Sequence, residues 1–321
     1  MVLETWDLGF GAFKECTNLP RAKYNLKLYI ILNSKIICVA DFKIKIQSED
    51  VADIIFEEGY APFFVSDYSG KPDVTINAIK GIPKDLLVKD NLLFEAKNQQ
   101  LDFFSIYQQG TSYKLIIYDQ QNINTVQQVA VLNNELNEWK IYCNQDDNNK
   151  INPLLYPLGP LVLYYLTVKF DAIMLHASGV FDGTQGRLFS GFSGVGKSTM
   201  AGLWQKAGSK IINDDRLIIR KNNNGYTMHN TPMFYVDIPK EAPLHSIYLV
   251  HHSAENTIKK LNGAIAVSRI MAHCIQHGYN NNFIQHHLEF LSQLCNNISV
   301  YDVGFKPDIS IVDFIVTYSA D

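Results

Sequence analysis

The run Gly191-Phe192-Ser193-Gly194-Val195-Gly196-Lys197-Ser198 sets glycines, a lysine and a hydroxyl at the spacing G-x-x-x-x-G-K-[ST]. That spacing is a phosphate cradle: glycines let backbone N–H groups close around phosphate oxygens, and the helix that follows adds its positive dipole end. Strand-like Arg187-Leu188-Phe189-Ser190 precedes the run, and Thr199 to Lys206 continues it as a helix, which is the context the motif needs. The expected phosphate contacts are Gly191, Ser193, Gly194, Val195, Gly196, Lys197, Ser198 and Thr199. Lys197 would reach the β- and γ-phosphates, and the Ser198 hydroxyl would ligate Mg²⁺.

Two further features bring chemistry to the same place. Asn213-Asp214-Asp215 follows the strand-like Lys210-Ile211-Ile212, itself reached through a helix ending at Ala207-Gly208. A strand–helix–strand crossover makes its two strands parallel, so both carboxylates are expected on the edge that carries the phosphate loop. There they can hold Mg²⁺ and accept a proton from an attacking hydroxyl, the plainer alternative being a solvated Asp-Asp turn. His176 lies on the strand-like Met174–Phe181, which a turn at Asp182–Gly186 folds back on Leu188-Phe189-Ser190. A hairpin centred on Thr184 puts His176 across from Phe192, at the mouth of the loop; a satisfied core histidine is the alternative.

The elements that must hold these residues divide at the polar stretch Asn144–Lys150, giving domains of 1–150 and 151–321. The first half alternates like strands, with apolar runs at 26–32 and Ile36–Ala40 joined by a tight turn, and with a short helix expected over Ser48–Glu58. It carries no catalytic motif, and substrate recognition is the role left for it. Leu154–Val168 reads as a buried helix, too short and too interrupted by prolines to span a membrane. His273, Cys274 and His277 fall at i, i+1 and i+4 on an expected helix, where helix packing is favoured over a zinc site because three or four convergent ligands are not in sight.

The order of His176, the Gly191–Ser198 loop, Gly208 and Asp214-Asp215 resembles the catalytic domain of the HPr kinase/phosphorylase family, which shares its nucleotide-binding fold with phosphoenolpyruvate carboxykinase. The resemblance covers 154 to the C-terminus. It implies an α/β fold with a mixed sheet, a P-loop kinase domain of that type preceded by a strand-rich N-terminal domain. It also implies roles: Asp215 as proton acceptor from the substrate hydroxyl, Lys197 and His176 as stabilisers of phosphate charge, and Ser198 with Asp214 as metal ligands. The family's R-G-L-G-I-I stretch after the Asp pair is absent, Thr231-Pro232-Met233-Phe234 and Asp237-Ile238-Pro239 standing in that region. The resemblance therefore points away from the HPr carrier protein and towards another hydroxyl, such as serine in a peptide or free serine.

Composition narrows the classes further. The chain has 321 residues, 47% of them apolar, with a formal net charge of −4, which excludes intrinsic disorder and the basic excess of a nucleic-acid protein. Five cysteines without a C-x-x-C pair and an N-terminal sequence without a basic-then-apolar leader set the expectation of a reducing, cytoplasmic setting with no membrane partner. The leading expectation is thus an ATP- and Mg²⁺-dependent kinase acting on a hydroxyl-bearing protein, peptide or small molecule. A nucleotide-responsive binding module and an ATP hydrolase are the competing readings, and self-association is left open.

Overall fold

The computed structural model describes residues 29–31, 34–48, 53–98, 100–122, 125–144 and 150–320. It is a mixed α/β fold with several sheets. The expected strand over 26–32, its turn at Asn33 and Cys16 lie largely outside the described residues, as do 145–149 of the expected linker. Among the described residues, no helix is long and apolar enough to cross a membrane.

The first half supplies β1 (Tyr29–Ile31), β2 (Ser34–Val39), β3 (Phe42–Ser48), β4 (Asp53–Phe56), β5 (Phe64–Val65) and β6 (Val74–Lys80). β7 (Leu92–Asn98), β8 (Leu101–Gln109), β9 (Ser112–Tyr118), β10 (Val126–Leu132), β11 (Glu138–Cys143) and β12 (Lys150–Ile151) complete it. Nine of these form one sheet in the order β5-β2-β3-β6-β11-β10-β9-β8-β7, and β1-β4-β12 form a small second sheet. The short helix expected over Ser48–Glu58 is instead the strand β4 followed by a 3₁₀ turn at Glu58–Phe63. The reason is tertiary: Ile54, Ile55 and Phe56 are buried, and β4 pairs with β1 and β12, which outweighs the local capping signal.

The second half is a further nine-stranded sheet sandwiched between helices. Its strands are β13 (Ala172–Phe181), β14 (Gly186–Ser190), β15 (Lys210–Asn213), β16 (Arg216–Asn222), β17 (Gly225–Asn230), β18 (Glu241–Pro243), β19 (Ser246–His252), β20 (Thr257–Leu261) and β21 (Ser299–Phe305). The path runs β18-β17-β16-β13-β14-β19-β21-β20, with β15 also on β13. Among the described residues five α-helices accompany the strands: α1 (Leu158–Lys169), α2 (Lys197–Lys206), α3 (Gly263–Met271), α4 (Asn281–Asn297) and α5 (Ser310–Ala320). On one face Met200, Ala201 and Trp204 of α2 and Ile311 and Ile315 of α5 pack on Phe189, Tyr248 and Val303. On the other, Ala266 and Ile270 of α3 and Leu291 and Leu294 of α4 pack on Leu175, Leu217 and Leu249. Helices on both faces are what β14, β19 and β21, mutually parallel and buried on both sides, require.

α1 is buried from Leu158 to Val168 on all sides, matching a sequence apolar all round. It shares one core with Trp139, Phe104 and Ile141 of the first half and with Met174, Ile218 and Phe283 of the second. The apolar interior is therefore continuous across residue 150.

Candidate active site

β13 is the scaffold of the site, because different partners use different lengths of it. Its C-terminal half pairs antiparallel with β14 on one side, Ala177 opposite Ser190 and Phe181 opposite Gly186. This register is one residue short of the pairing that set His176 across from Phe192. The turn explains the slip: Asp182 Oδ1 accepts the backbone N–H groups of Thr184 and Gln185, fixing a four-residue connection. On its other side β13 pairs antiparallel with β15 (Gly179 opposite Asn213) and then with β16 (His176 opposite Arg216). β14 and β15 are thus parallel to each other, as the crossover argument requires, with β13 between them. Asp214-Asp215 does not end a strand. It is a kink in a line that continues along β13, where the Ala177 N–H still donates to the Asp215 carbonyl at 3.0 Å.

Asn213 shapes that kink. Its side-chain carbonyl accepts the Asp214 N–H at 2.7 Å, and its amide donates to the Arg216 carbonyl at 2.8 Å. Both carboxylates are thereby turned to the edge where β14 runs into the Gly191–Ser198 loop. Ser178 Oγ donates to Asp214 Oδ1, and the Ser198 hydroxyl lies near enough to the Asp214 carboxylate to favour its charged form. Asp215 Oδ1 lies 3.5 Å from His176 Nδ1, and its Oδ2 accepts from Arg216 Nε at 2.8 Å. Burial pushes the Asp214 carboxyl up, against the pull of the Ser178 and Ser198 hydroxyls.

The Gly191–Ser198 loop has a backbone that calls for its glycines. Gly194 (φ +81°) and Gly196 (φ +91°) take left-handed conformations that favour glycine. A Cβ on Gly191 would stand 2.7 Å from the Val250 carbonyl oxygen, so the close approach of β19 also needs a glycine there. Gly196 caps α2, which opens at Lys197 with its first-turn N–H groups towards the loop. Phe192, Ser193 and Gly194 are exposed; Ser198 and Thr199 are exposed on the first turn of α2, and Val195 is half-buried. Lys197 is buried, its Nζ donating to the carbonyls of Gly191 (3.0 Å) and Phe192 (3.1 Å). Burial lowers its pKa to about 8, with Asp215 and Asp214 holding it up. His176 is held at about 4 by burial first and then by the Lys197 charge, against the opposing pull of Asp215.

The structure therefore brings Lys197, Ser198, Asp214, Asp215 and His176 to one edge. It adds two histidines that the pattern of the sequence did not reveal. His252, at the end of β19, donates from Nε2 to the Gly194 carbonyl at 3.2 Å and stacks on Phe305. The signal for it exists in principle: β14 and β19 run parallel, so their C-terminal ends share an edge. His273 lies against Phe192, ring centroids 5.1 Å apart in an edge-to-face contact. The expected helix carrying His273 and His277 on one face ends at Met271, so the two point to different places. His277 is buried among Tyr164, Phe94 and Phe104.

Tyr235 follows Asn230–Phe234, the segment leading from β17. Its phenol is pushed up by burial and by the charges of Asp237, Asp214 and Asp215. The segment that carries it packs on the first half so closely that a Cβ on Gly59 would lie 1.7 Å from the Met233 carbonyl oxygen.

No protein-family model matches the chain, and no curated protein matches it. Among solved structures 17 chains match. One is the Hpr(Ser) kinase/phosphatase from Coxiella burnetii, 11% identical, with 46% of this chain and 99% of that chain covered at a TM-score of 0.29.

Proposed function

We propose that the chain is an ATP- and Mg²⁺-dependent phosphotransferase that moves the γ-phosphoryl group to a hydroxyl of a protein, peptide or small molecule. One juxtaposition carries the reading: the loop with Lys197, the Ser198–Asp214 pair and the His176–Asp215–Arg216 chain share a single sheet edge. The residues suit the groups they would hold. The helix N-terminus and the glycine cradle suit a polyphosphate, and the hydroxyl and carboxylate of Ser198 and Asp214 are the hard oxygen donors that Mg²⁺ takes. Bound there, the magnesium nucleotide supplies the electrophilic phosphorus and a counter-charge to its own oxygens.

The residues then divide the work. Asp215 accepts the proton of the acceptor hydroxyl as its oxygen bonds to phosphorus and the bond to the nucleoside diphosphate breaks. Arg216, on the other carboxylate oxygen, fixes the aim of Asp215. Lys197 exchanges its two loop carbonyls for phosphate oxygens. His176 presents Nδ1 to Asp215 and its remaining ring edge to the phosphate, taking up a proton as negative charge arrives. We assign 151–321 to this chemistry and 1–150 to acceptor recognition; the close packing of Gly59 on the segment leading to Tyr235 supports the second assignment.

Incubation of the full chain with γ-labelled ATP, Mg²⁺ and a panel of free serine, Ser/Thr peptides and proteins tests the reading. Label on an acceptor, lost in Asp215→Asn, is the expected result. Free phosphate alone would make the chain a hydrolase, and tight ATP binding with neither product would make it a nucleotide-responsive module; each overturns the transferase.

A further inference from the structure

His273 stands where β14 leaves β13. Beyond Ser190 the strand turns away into the phosphate loop, and the vacated position beside β13 is taken by residues just after α3. The His176 N–H donates to the His273 carbonyl at 3.1 Å, the Ile275 N–H donates to the Met174 carbonyl at 2.8 Å, and Leu175 bridges to Cys274. This backbone pairing fixes His273 beside the loop mouth whatever its side chain does. The ring rests against the exposed Phe192 of the loop, and no described residue hydrogen-bonds its nitrogens.

We propose that His273 is a phosphate-binding residue of this site, contacting the terminal phosphoryl group of a nucleoside triphosphate and so distinguishing it from the diphosphate. The inference rests on the proposed nucleotide site. The ring is half-buried, is held in place from the backbone, and has nitrogens free for a ligand. Its electrical surroundings agree: burial, then Lys197 on α2 and Arg269 on α3, lower its pKa to about 4. A group close enough to feel the charge of Lys197 is close enough to feel the anion that Lys197 binds. The groups around it are His176 on β13, Lys197 on α2, Arg269 on α3 and, beyond His176, Asp215 and Arg216. A triphosphate reverses the sign of that field and favours the imidazolium, which donates from both ring nitrogens.

The test compares ATP and ADP on the full chain with Mg²⁺. In His273→Ala the affinity for ATP should fall by about 10-fold, the loss expected for a hydrogen bond to a charged group, while that for ADP stays within about 2-fold. His273→Gln should recover part of the loss. Equal losses for both nucleotides, or none, would overturn the assignment. Should His273→Ala fold poorly, NMR of wild-type imidazole resonances, assigned with His273→Gln, decides the matter. The His273 pKa should rise with ATP and not with ADP; a pKa indifferent to ATP overturns the proposal. Wild-type protein that binds neither nucleotide overturns the nucleotide site as well, whereas binding with an unchanged ATP-to-ADP ratio in the variants overturns His273 alone.

Discussion

Asp215 divides its two oxygens between an arginine and an imidazole, while its neighbour Asp214 accepts from the Ser178 hydroxyl with the Ser198 hydroxyl nearby. Adjacent carboxylates in one kink thus have different jobs open to them, proton acceptance for one and metal ligation for the other. Replacing Asp215 by Asn keeps the shape and removes the basic oxygen. Transfer should then fall by roughly 10²- to 10⁴-fold, the usual range for general-base removal, with ATP affinity little changed; equal turnover in both proteins would remove Asp215 from the mechanism. His176 makes a second prediction. Burial and then Lys197 lower its pKa to about 4, which favours the neutral ring near neutral pH. A bound triphosphate outweighs Lys197, so nucleotide binding at pH 6.5 should draw protons from the buffer. Calorimetry in two buffers of different ionisation enthalpy measures that uptake, and His176→Gln should reduce it. The sequence singled out those residues of this edge that local spacing sets: the loop, the Asp pair and His176. His252 and His273 were not legible there, because each reaches the loop through a pairing that is non-local: β14 with β19, and β13 with 273–275.

At the scale of elements, the loop is held from both sides. Gly196 sits under Phe305, where a Cβ would come within 2.8 Å of the ring, and its φ of +91° strains any other residue. Gly196→Ala should cost about 1–3 kcal/mol of local strain and abolish measurable nucleotide binding, read by calorimetry, while the rest of the fold persists. His252→Ala, which frees the Gly194 carbonyl, should raise the KM for ATP by several-fold with kcat less affected, a split expected of a residue that acts through the loop. The hairpin β13–β14 and the buried α1 could be read from pattern. Register could not, because the Asp182 turn decided it by one residue. Nor could β4 be seen, since Ser48, Glu49 and Asp50 just before it carry a helix signal that pairing with β1 and β12 overrides.

At the scale of the molecule, the core that joins the two halves encloses two histidines. His277 and His287 are each 1% exposed, and neither ring has a hydrogen-bond partner among the described residues. Burial above all lowers His277 to about 3 and His287 to about 4. An unfolded chain protonates both near pH 6.5, so the unfolded state binds more protons below that pH. Stability is therefore fully present above about pH 6.5 and is lost as pH falls towards 4, at up to about 1.4 kcal/mol per pH unit for each group. Denaturant titrations from pH 7.5 to 4.5 should show this decline, and His277→Phe should flatten it. The same core bears on the division at residue 150. α1 belongs in sequence to 151–321 but packs on Trp139 and Phe104 of the first half. A fragment of 151–321 should consequently be less soluble and melt less cooperatively than the whole chain, and an independently cooperative fragment would show that each half has a sufficient core of its own.

The contact at Gly59 constrains how such a chain can change over evolutionary time. A backbone that meets the Met233 carbonyl with no space for even a methyl group ties the first half to the strip of chain that ends beside the carboxylates. Chimaeras that graft 151–321 onto an unrelated partner would need a glycine at the matching spot, and drift at position 59 would be felt along Met233–Tyr235 before it was felt at its own surface.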